Sequence, residues 1–165
     1  MTLASNTNVA ASQRVARARS CQHLDFHDAP RIAAFFLCFD FDQRRSYFGG
    51  GVSDQAVRQY CQRIDWTTTD MIGRSGSYCL EALALITEVP MNRTRGELAI
   101  ACPLACRQRN ILSDLMTSAI EFGLSKYCTL VVHRELAHPD LVAKLRESGC
   151  AITRGDEIEL FRPDR

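Results

Sequence analysis

The sequence lacks three features that would assign the protein to a narrow class. No apolar run approaches the roughly 18 residues of a membrane-spanning helix. The 20 Lys and Arg residues nearly balance the 19 Asp and Glu residues, so no global field draws the chain toward nucleic acid or an anionic membrane. The 8 cysteines show neither the C-x-x-C spacing of a zinc site nor the density of a small secreted scaffold. We therefore predict a soluble, cytoplasmic protein with reduced thiols, and neither nucleic acid nor a membrane as its partner.

The N-terminus also lacks acidic residues, because the first 24 residues contain three arginines and no Asp or Glu. We predict a flexible segment over residues 1–22, and an organellar transit peptide is the alternative interpretation. The remaining residues, 23–165, have ordinary globular composition and the length of a single domain.

Helical spacing of apolar residues predicts four helices. The first, Asp28–Phe39, begins with a cap-like Asp and a Pro, and the second follows a potential cap at Ser53. The third, Ile111–Lys126, has the clearest apolar stripe, with Gly123 near its end, and the fourth is Pro139–Ser148.

Alternating or β-branched segments predict the strands, and turn residues group four of them into two hairpins. A polar loop is expected over Pro90–Arg95. The predicted strands are Thr67–Ile72, Tyr78–Val89, Glu97–Leu104, Thr129–His133 and the two halves of Ala151–Phe161.

The segment Cys106–Leu112, CRQRNIL, joins a predicted strand to the third helix. Strand-to-helix loops often hold phosphate groups, because backbone N–H groups converge there and the helix dipole attracts anions. Glycines usually serve such loops, since the backbone must approach the ligand closely and adopt φ > 0. This segment contains none, so it is either a phosphate loop without glycines or an ordinary turn.

Three segments resemble the GNAT superfamily of acyl-CoA-dependent N-acyltransferases. They are DAPRIAAFFLCFDFDQRRSYFGGGVSD near the N-terminus, GELAIACPLACRQRNILSDLM in the middle and TLVVHRELAHPDLVAKLRESGC near the C-terminus. The resemblance covers roughly residues 24–161. It implies a single GNAT-like domain with an α/β (α+β) fold, in which helices flank a mixed, mostly antiparallel sheet. It also implies acetyl-CoA as co-substrate and an amine as acceptor.

The family's pyrophosphate loop, commonly written R-G-R-G-I-G, aligns with the glycine-free segment. Ala101, Cys102 and the loop residues are the implied CoA-binding residues. If the backbone keeps its course, the two arginines and the helix N-terminus still form an anion site; if Gln108 or Leu112 fills the cradle, the pyrophosphate has no room. Arg107, Arg109 and Ile111 match the family pattern, whereas Gln108, Asn110 and Leu112 stand where glycines would be.

The second family stretch, N-x-x-M-x-x-x-A-x-x-x-G-F, aligns with residues 138–150. His138 takes the place of its Asn and is a further implied cofactor contact, Leu141 replaces the Met, and Gly149 keeps the Gly. The Tyr that many members use as a general acid falls at Leu145, which cannot donate a proton.

Glu97 matches an acid that similar members use as a water-relayed base, which makes it the candidate catalytic residue. A solvated carboxylate on the strand is the alternative interpretation. The pairs His23 with His27 and His133 with His138 have no accompanying ligand set, so we predict no metal.

Two other features have simple structural explanations. Cys102 and Cys106 flank the junction, but no neighbouring base is evident, so buried packing is favoured over a thiol nucleophile. The run Gly49-Gly50-Gly51 follows no strand and is better explained as a hinge than as a phosphate loop.

Two functions remain after this comparison of the residues with the family. The first is a GNAT-type N-acyltransferase that uses acyl-CoA and an unidentified amine. The second is a catalytically degenerate GNAT-fold protein that binds a ligand or another protein in a regulatory role. A monomer and a homodimer both stay open.

Overall fold

The computed structural model describes residues 21–76, 78–103, 109–133, 142–143 and 151–162. The α-helices with described bounds are α1 (Ala29–Leu37), α2 (Phe41–Phe48), α3 (Asp54–Gln62) and α4 (Arg109–Lys126), and residues 142–143 are also helical. The strands are β1 (Cys21–Leu24), β2 (Thr69–Ser75), β3 (Leu80–Val89), β4 (Asn92–Ala101), β5 (Thr129–His133), β6 (Ala151–Arg154) and β7 (Glu157–Phe161).

All seven of these strands form one sheet in the order β1-β2-β3-β4-β5-β7-β6. Every neighbouring pair is antiparallel except β4 and β5, which are parallel. Parallel neighbours need a crossover connection, and α4 lies in the segment between these two strands. The predicted mixed, mostly antiparallel sheet flanked by helices is therefore confirmed.

The helices cover the two faces of the sheet with separate apolar clusters. On one face α4 packs over the sheet through buried side chains such as Leu115, together with Leu98 and Leu130 of the strands. On the other face α1 and α3 pack over the first half of the sheet, where Phe36 and Val57 are fully buried. Strands such as β3 therefore alternate between two apolar environments, as strands covered on both faces require.

Local hydrogen bonds fix the helix boundaries of the N-terminal half. The Asp40 carboxylate accepts from the Gln43 amide at 2.8 Å in a capping box at the start of α2. Ser53 caps α3 by accepting from the Ala56 amide, as expected from the sequence. Gly49 ends α2 with a φ of 72°, a conformation that glycine adopts without strain.

Several boundaries differ from the sequence-based expectation. Strand β1 was not predicted, and the expected boundary at residue 22 falls within it. Helix α2 was missed because its apolar residues do not form a stripe, and none of its side chains is fully buried. The polar loop expected over Pro90–Arg95 is wrong from Asn92 onward, since β4 begins there after a tight turn in which Met91 has a φ of 68°.

Helix α4 begins at Arg109, two residues before the predicted start, and continues through Gly123. An added Cβ at Gly123 would lie 2.6 Å from Cδ1 of Leu130 in β5. An added Cβ at Gly96 in β4 would lie 3.0 Å from Cδ2 of the same leucine. The Leu130 side chain thus occupies space that is free because Gly123 and Gly96 have no Cβ atoms. This packing sets how closely α4 approaches the β4–β5 pair.

Candidate active site

Strands β4 and β5 pair over a short distance and then separate. Their parallel register runs from Arg95 opposite Thr129 to Glu97 opposite Val131. Both strands continue beyond this last pair, β4 to Ala101 and β5 to His133. A gap therefore opens between the carboxyl ends of the two strands, at the point where the sheet changes from antiparallel to parallel pairing. Ligands of open α/β sheets bind in such crevices.

The direction of the backbone groups shows what faces this gap. The Glu88 amide donates to the Thr68 carbonyl at 2.8 Å, on the β2 side of β3. The backbone N–H and C=O groups of the even-numbered β3 residues therefore point toward β2. Those of the odd-numbered residues point toward β4 and bond to it in regular register, for example Leu85 with Ala99. The N–H and C=O of Ile100 consequently point to the β5 side. No described strand pairs with β4 there, so these groups are available to an extended ligand.

The start of α4 lies close in sequence to the same end of β4. Its first residue, Arg109, follows Ala101 by eight positions. The first turn of a helix presents backbone N–H groups and the positive end of the helix dipole, which together attract anions. An open strand edge and a helix N-terminus, a feature that attracts anions, thus follow one another along the chain.

Arg74 adds a buried positive charge on the α4 face of the sheet. Its side chain is 10% exposed, and its Nη2 lies 3.4 Å from Oδ2 of Asp114 in the second turn of α4. Its Nε is buried without a hydrogen-bond partner. A guanidinium that is only partly satisfied contributes positive potential beneath the start of α4. Sequence reasoning missed this residue, although a charge at the end of an apolar strand is unusual.

Glu97 occupies the last paired position before the gap. It lies opposite Thr87 on β3 and Val131 on β5, and its side chain is 44% exposed on the face away from α4. Its Oε1 lies 3.4 Å from Nε2 of His133, the last residue of β5. The carboxylate is thus accessible, and it stands next to the gap rather than in the core.

An open cleft lies between α3 and the first strands of the sheet, on the β3 side of Glu97. It has a volume of about 550 Å³, within the range of small-molecule sites. Thr87, the partner of Glu97 across the β3–β4 pair, is one of its lining residues. The lining residues are Ala56, Gln59, Tyr60, Arg63, Ile64, Asp65, Thr69, Met71, Leu85 and Thr87.

Two polar groups of the cleft have shifted pKa values. Burial raises the pKa of Tyr60, and the nearby Cys61 adds to the effect, so the phenol stays protonated and is able to donate a hydrogen bond. The hydroxyl and amide of Thr67 lower the pKa of Asp65, whose Oδ1 they contact at 2.6 and 3.0 Å. Asp65 is therefore occupied in holding the turn before β2.

The structure places the predicted cofactor residues in different environments. Ala101 is the buried last residue of β4, and Cys102 follows it with its Sγ donating weakly to the Glu81 carbonyl at 3.7 Å. Arg109 and Asn110 are the first two residues of α4. Ile111 and Leu112 are buried, with 7% and 9% exposure, so their side chains pack inward. Arg107, Gln108 and His138 lie outside the described residues.

Metal ligands do not gather in the described part of the chain. No group of three or more His, Cys, Asp or Glu side chains lies together there. Within the same residues, no helix is long and apolar enough to span a membrane.

Comparison with known proteins supports the fold. No protein-family model matches the chain, and no curated protein matches its sequence. The structure is similar to spermidine N-acetyltransferase from Vibrio cholerae in complex with CoA and spermine, with 13% identity, a TM-score of 0.64, and coverage of 88% of this chain and 96% of that one. It is also similar to the GNAT domain of S. lividans PAT, with 12% identity, a TM-score of 0.63, and coverage of 85% and 87%. A third similar structure is yncA from Salmonella typhimurium with its cofactor acetyl-CoA, with 9% identity, a TM-score of 0.61, and coverage of 89% and 95%. The chain therefore has the GNAT fold.

Proposed function

We propose that the protein is an acyl-CoA-dependent N-acyltransferase of the GNAT type, with acetyl-CoA as the acyl donor. The observation that carries this proposal is the gap that opens between β4 and β5 directly after Glu97 and Val131. It combines an open backbone edge, a nearby helix start and an exposed carboxylate. Two similar structures were solved with CoA or acetyl-CoA, which supports the choice of donor.

The residues around the gap fit such a donor. Ile100 offers an N–H and a C=O to the extended pantetheine chain or the thioester carbonyl. The first turn of α4 and the positive charge of Arg74 favour the pyrophosphate. Ile111 and Leu112 do not obstruct this region, because both side chains are buried. When bound, acetyl-CoA supplies an acyl thioester, and the protein supplies orientation and charge stabilisation.

The acceptor amine enters through the cleft between α3 and the sheet. Thr87 lines this cleft and stands opposite Glu97 in the β3–β4 register, so an amine bound beside Thr87 lies near the carboxylate. A neutral amine attacks the thioester carbonyl, and Glu97 accepts the proton that the nitrogen releases, directly or through water. Tyr60 stays protonated in the cleft and serves as a hydrogen-bond donor to the acceptor.

Calorimetric titration with CoA and acyl-transfer assays test the proposal together. We expect CoA to bind, and acetyl-CoA with a panel of amines to yield an amide. The panel contains spermine, spermidine, phosphinothricin, the common amino acids and hydroxylamine. Products are identified by mass spectrometry, since Cys38, Cys79 and Cys128 are exposed and would react with a thiol reagent. Absence of CoA binding would refute the proposed acyltransferase. CoA binding without any amide product would favour the degenerate ligand-binding protein.

A further inference from the structure

His133 is a polar residue at the gap that the proposed reaction does not yet use. It ends β5, two residues beyond the last position paired with β4. Its Nε2 lies 3.4 Å from Oε1 of Glu97, so the two side chains meet across the start of the gap. Their side chains are 39% and 44% exposed, which leaves both open to solvent and ligand.

The other charged groups on this face of the sheet pair with one another. Glu157 stands opposite His133 in the β5–β7 register, but its carboxylate is held by Arg95. Glu159 contacts Arg95 at 3.3 Å, and it contacts the neighbouring Arg154 at 3.4 Å. In the described part of the chain, His133 is therefore the charged side chain that pairs with Glu97.

The geometry separates the roles of the two residues. Across the sheet, Thr87 and the cleft lie on one side of Glu97, and His133 lies on the other. An amine bound in the cleft is therefore closer to the Glu97 carboxylate than to the His133 imidazole. His133 thus acts on the reaction through the carboxylate rather than on the acceptor.

We infer that His133 is a positioning residue, which donates its Nε2–H to Oε1 of Glu97 and leaves the second carboxylate oxygen to receive the amine proton; this inference rests on the proposed function. Contacts of catalytic groups are often long without substrate and shorten when substrate binds. In the step that follows, the C–N bond forms and the C–S bond breaks. The amine proton moves to Glu97 and then to solvent, and the departing thiolate takes a proton from solvent.

A double-mutant cycle on the acyl-transfer rate tests this role. The first variant, His133→Leu, keeps the size of the side chain and removes the donor, and we expect it to lower kcat about tenfold with little change in the KM for acetyl-CoA. His133→Gln restores an N–H donor and should recover most of the rate. In a Glu97→Gln background, His133→Leu should cause no further loss, because the carboxylate that it positions is gone.

His27→Gln provides the matched control, since His27 is exposed on the turn after β1. It should leave kcat unchanged. Equal kcat in wild type and His133→Leu would overturn the inference while leaving the proposed function intact. The inference would also be overturned if the fold-losses in kcat from His133→Leu and Glu97→Gln multiply in the double variant. A wild-type protein that acylates no amine of the panel would overturn the proposed function, and the inference with it.

Discussion

Replacing Gly123 with alanine tests how the fold positions the candidate site. The new Cβ would lie 2.6 and 2.8 Å from the two Cδ atoms of Leu130 and 3.2 Å from Cδ1 of Ile86. Real Cβ atoms do not approach this closely, so either Leu130 or α4 must move. Leu130 is fully buried and lies against Gly96 on its other side, which leaves it little room. We expect the helix to shift away from β5.

Two opposing effects determine how much Gly123→Ala changes the free energy of unfolding. Alanine is the better helix former by about 1 kcal/mol, which favours the variant. Overpacking of a close-packed core costs about 1 to 3 kcal/mol, and the contact distances here place the cost in the upper part of that range. The packing cost wins, so the variant should lose about 1 to 2 kcal/mol of unfolding free energy. A displaced α4 should also weaken CoA binding, because the anion-binding end of the helix moves with it.

Urea unfolding followed by circular dichroism measures the stability, and calorimetry measures CoA affinity. Gly50→Ala is the matched control, since nothing lies within 4 Å of an added Cβ there and it should change neither quantity. A Gly123→Ala protein as stable as wild type would refute the packing argument. Lower stability with unchanged CoA affinity would show that the depth of α4 does not control the site.

Three further predictions concern single side chains. Burial raises the pKa of Cys61 from an ordinary value of 9.0 to about 11, so the unfolded chain loses this proton at a lower pH than the folded protein does. The free energy of unfolding should therefore fall by roughly 2 kcal/mol as the pH rises from about 9 to 11. Urea unfolding should show a shallower decline for Cys61→Ala and an unchanged decline for Cys128→Ala, and equal declines in all three proteins would contradict this. Arg74→Met should keep or raise the melting temperature, because it removes a partly satisfied buried charge. The same variant should weaken CoA binding several-fold at low salt and less at high salt, and tighter or unchanged CoA binding would remove Arg74 from the site. Glu97→Gln should lower the acyl-transfer rate by about 100-fold or more and leave CoA affinity unchanged, and equal turnover would exclude Glu97 as the base.

The periodic elements could be predicted from the sequence because each carries its own pattern. Helix α4 and strand β7 are each buried on one face, so their apolar residues recur at helical spacing in α4 and at every second position in β7. Helix α2 could not be found in this way, since it is stabilised by the Asp40 capping box and by contacts of its neighbours rather than by an apolar stripe. Strand β1 is too short to show alternation, and it exists because its four residues pair with β2.

The candidate site could be predicted only in part. Glu97 was found through its position in a family pattern, but the contact with His133 depends on the parallel register of β4 and β5, which no local pattern specifies. The one available indication was a histidine at the end of an otherwise apolar strand. Tyr60 joins the site because α3 folds over the sheet, a contact between segments distant in sequence.

The central claim is that CoA binds along the open edge of β4, and residue-resolved amide hydrogen exchange tests it most directly. Without ligand, the Ile100 amide should exchange rapidly, whereas the Ala99 amide, which bonds to β3, should be protected. Saturating CoA should slow exchange at Ile100 and in the first turn of α4, and leave the β6–β7 hairpin unchanged. If CoA binds with no added protection at Ile100, or with protection confined to another part of the sheet, the assignment of the gap as the cofactor site is wrong.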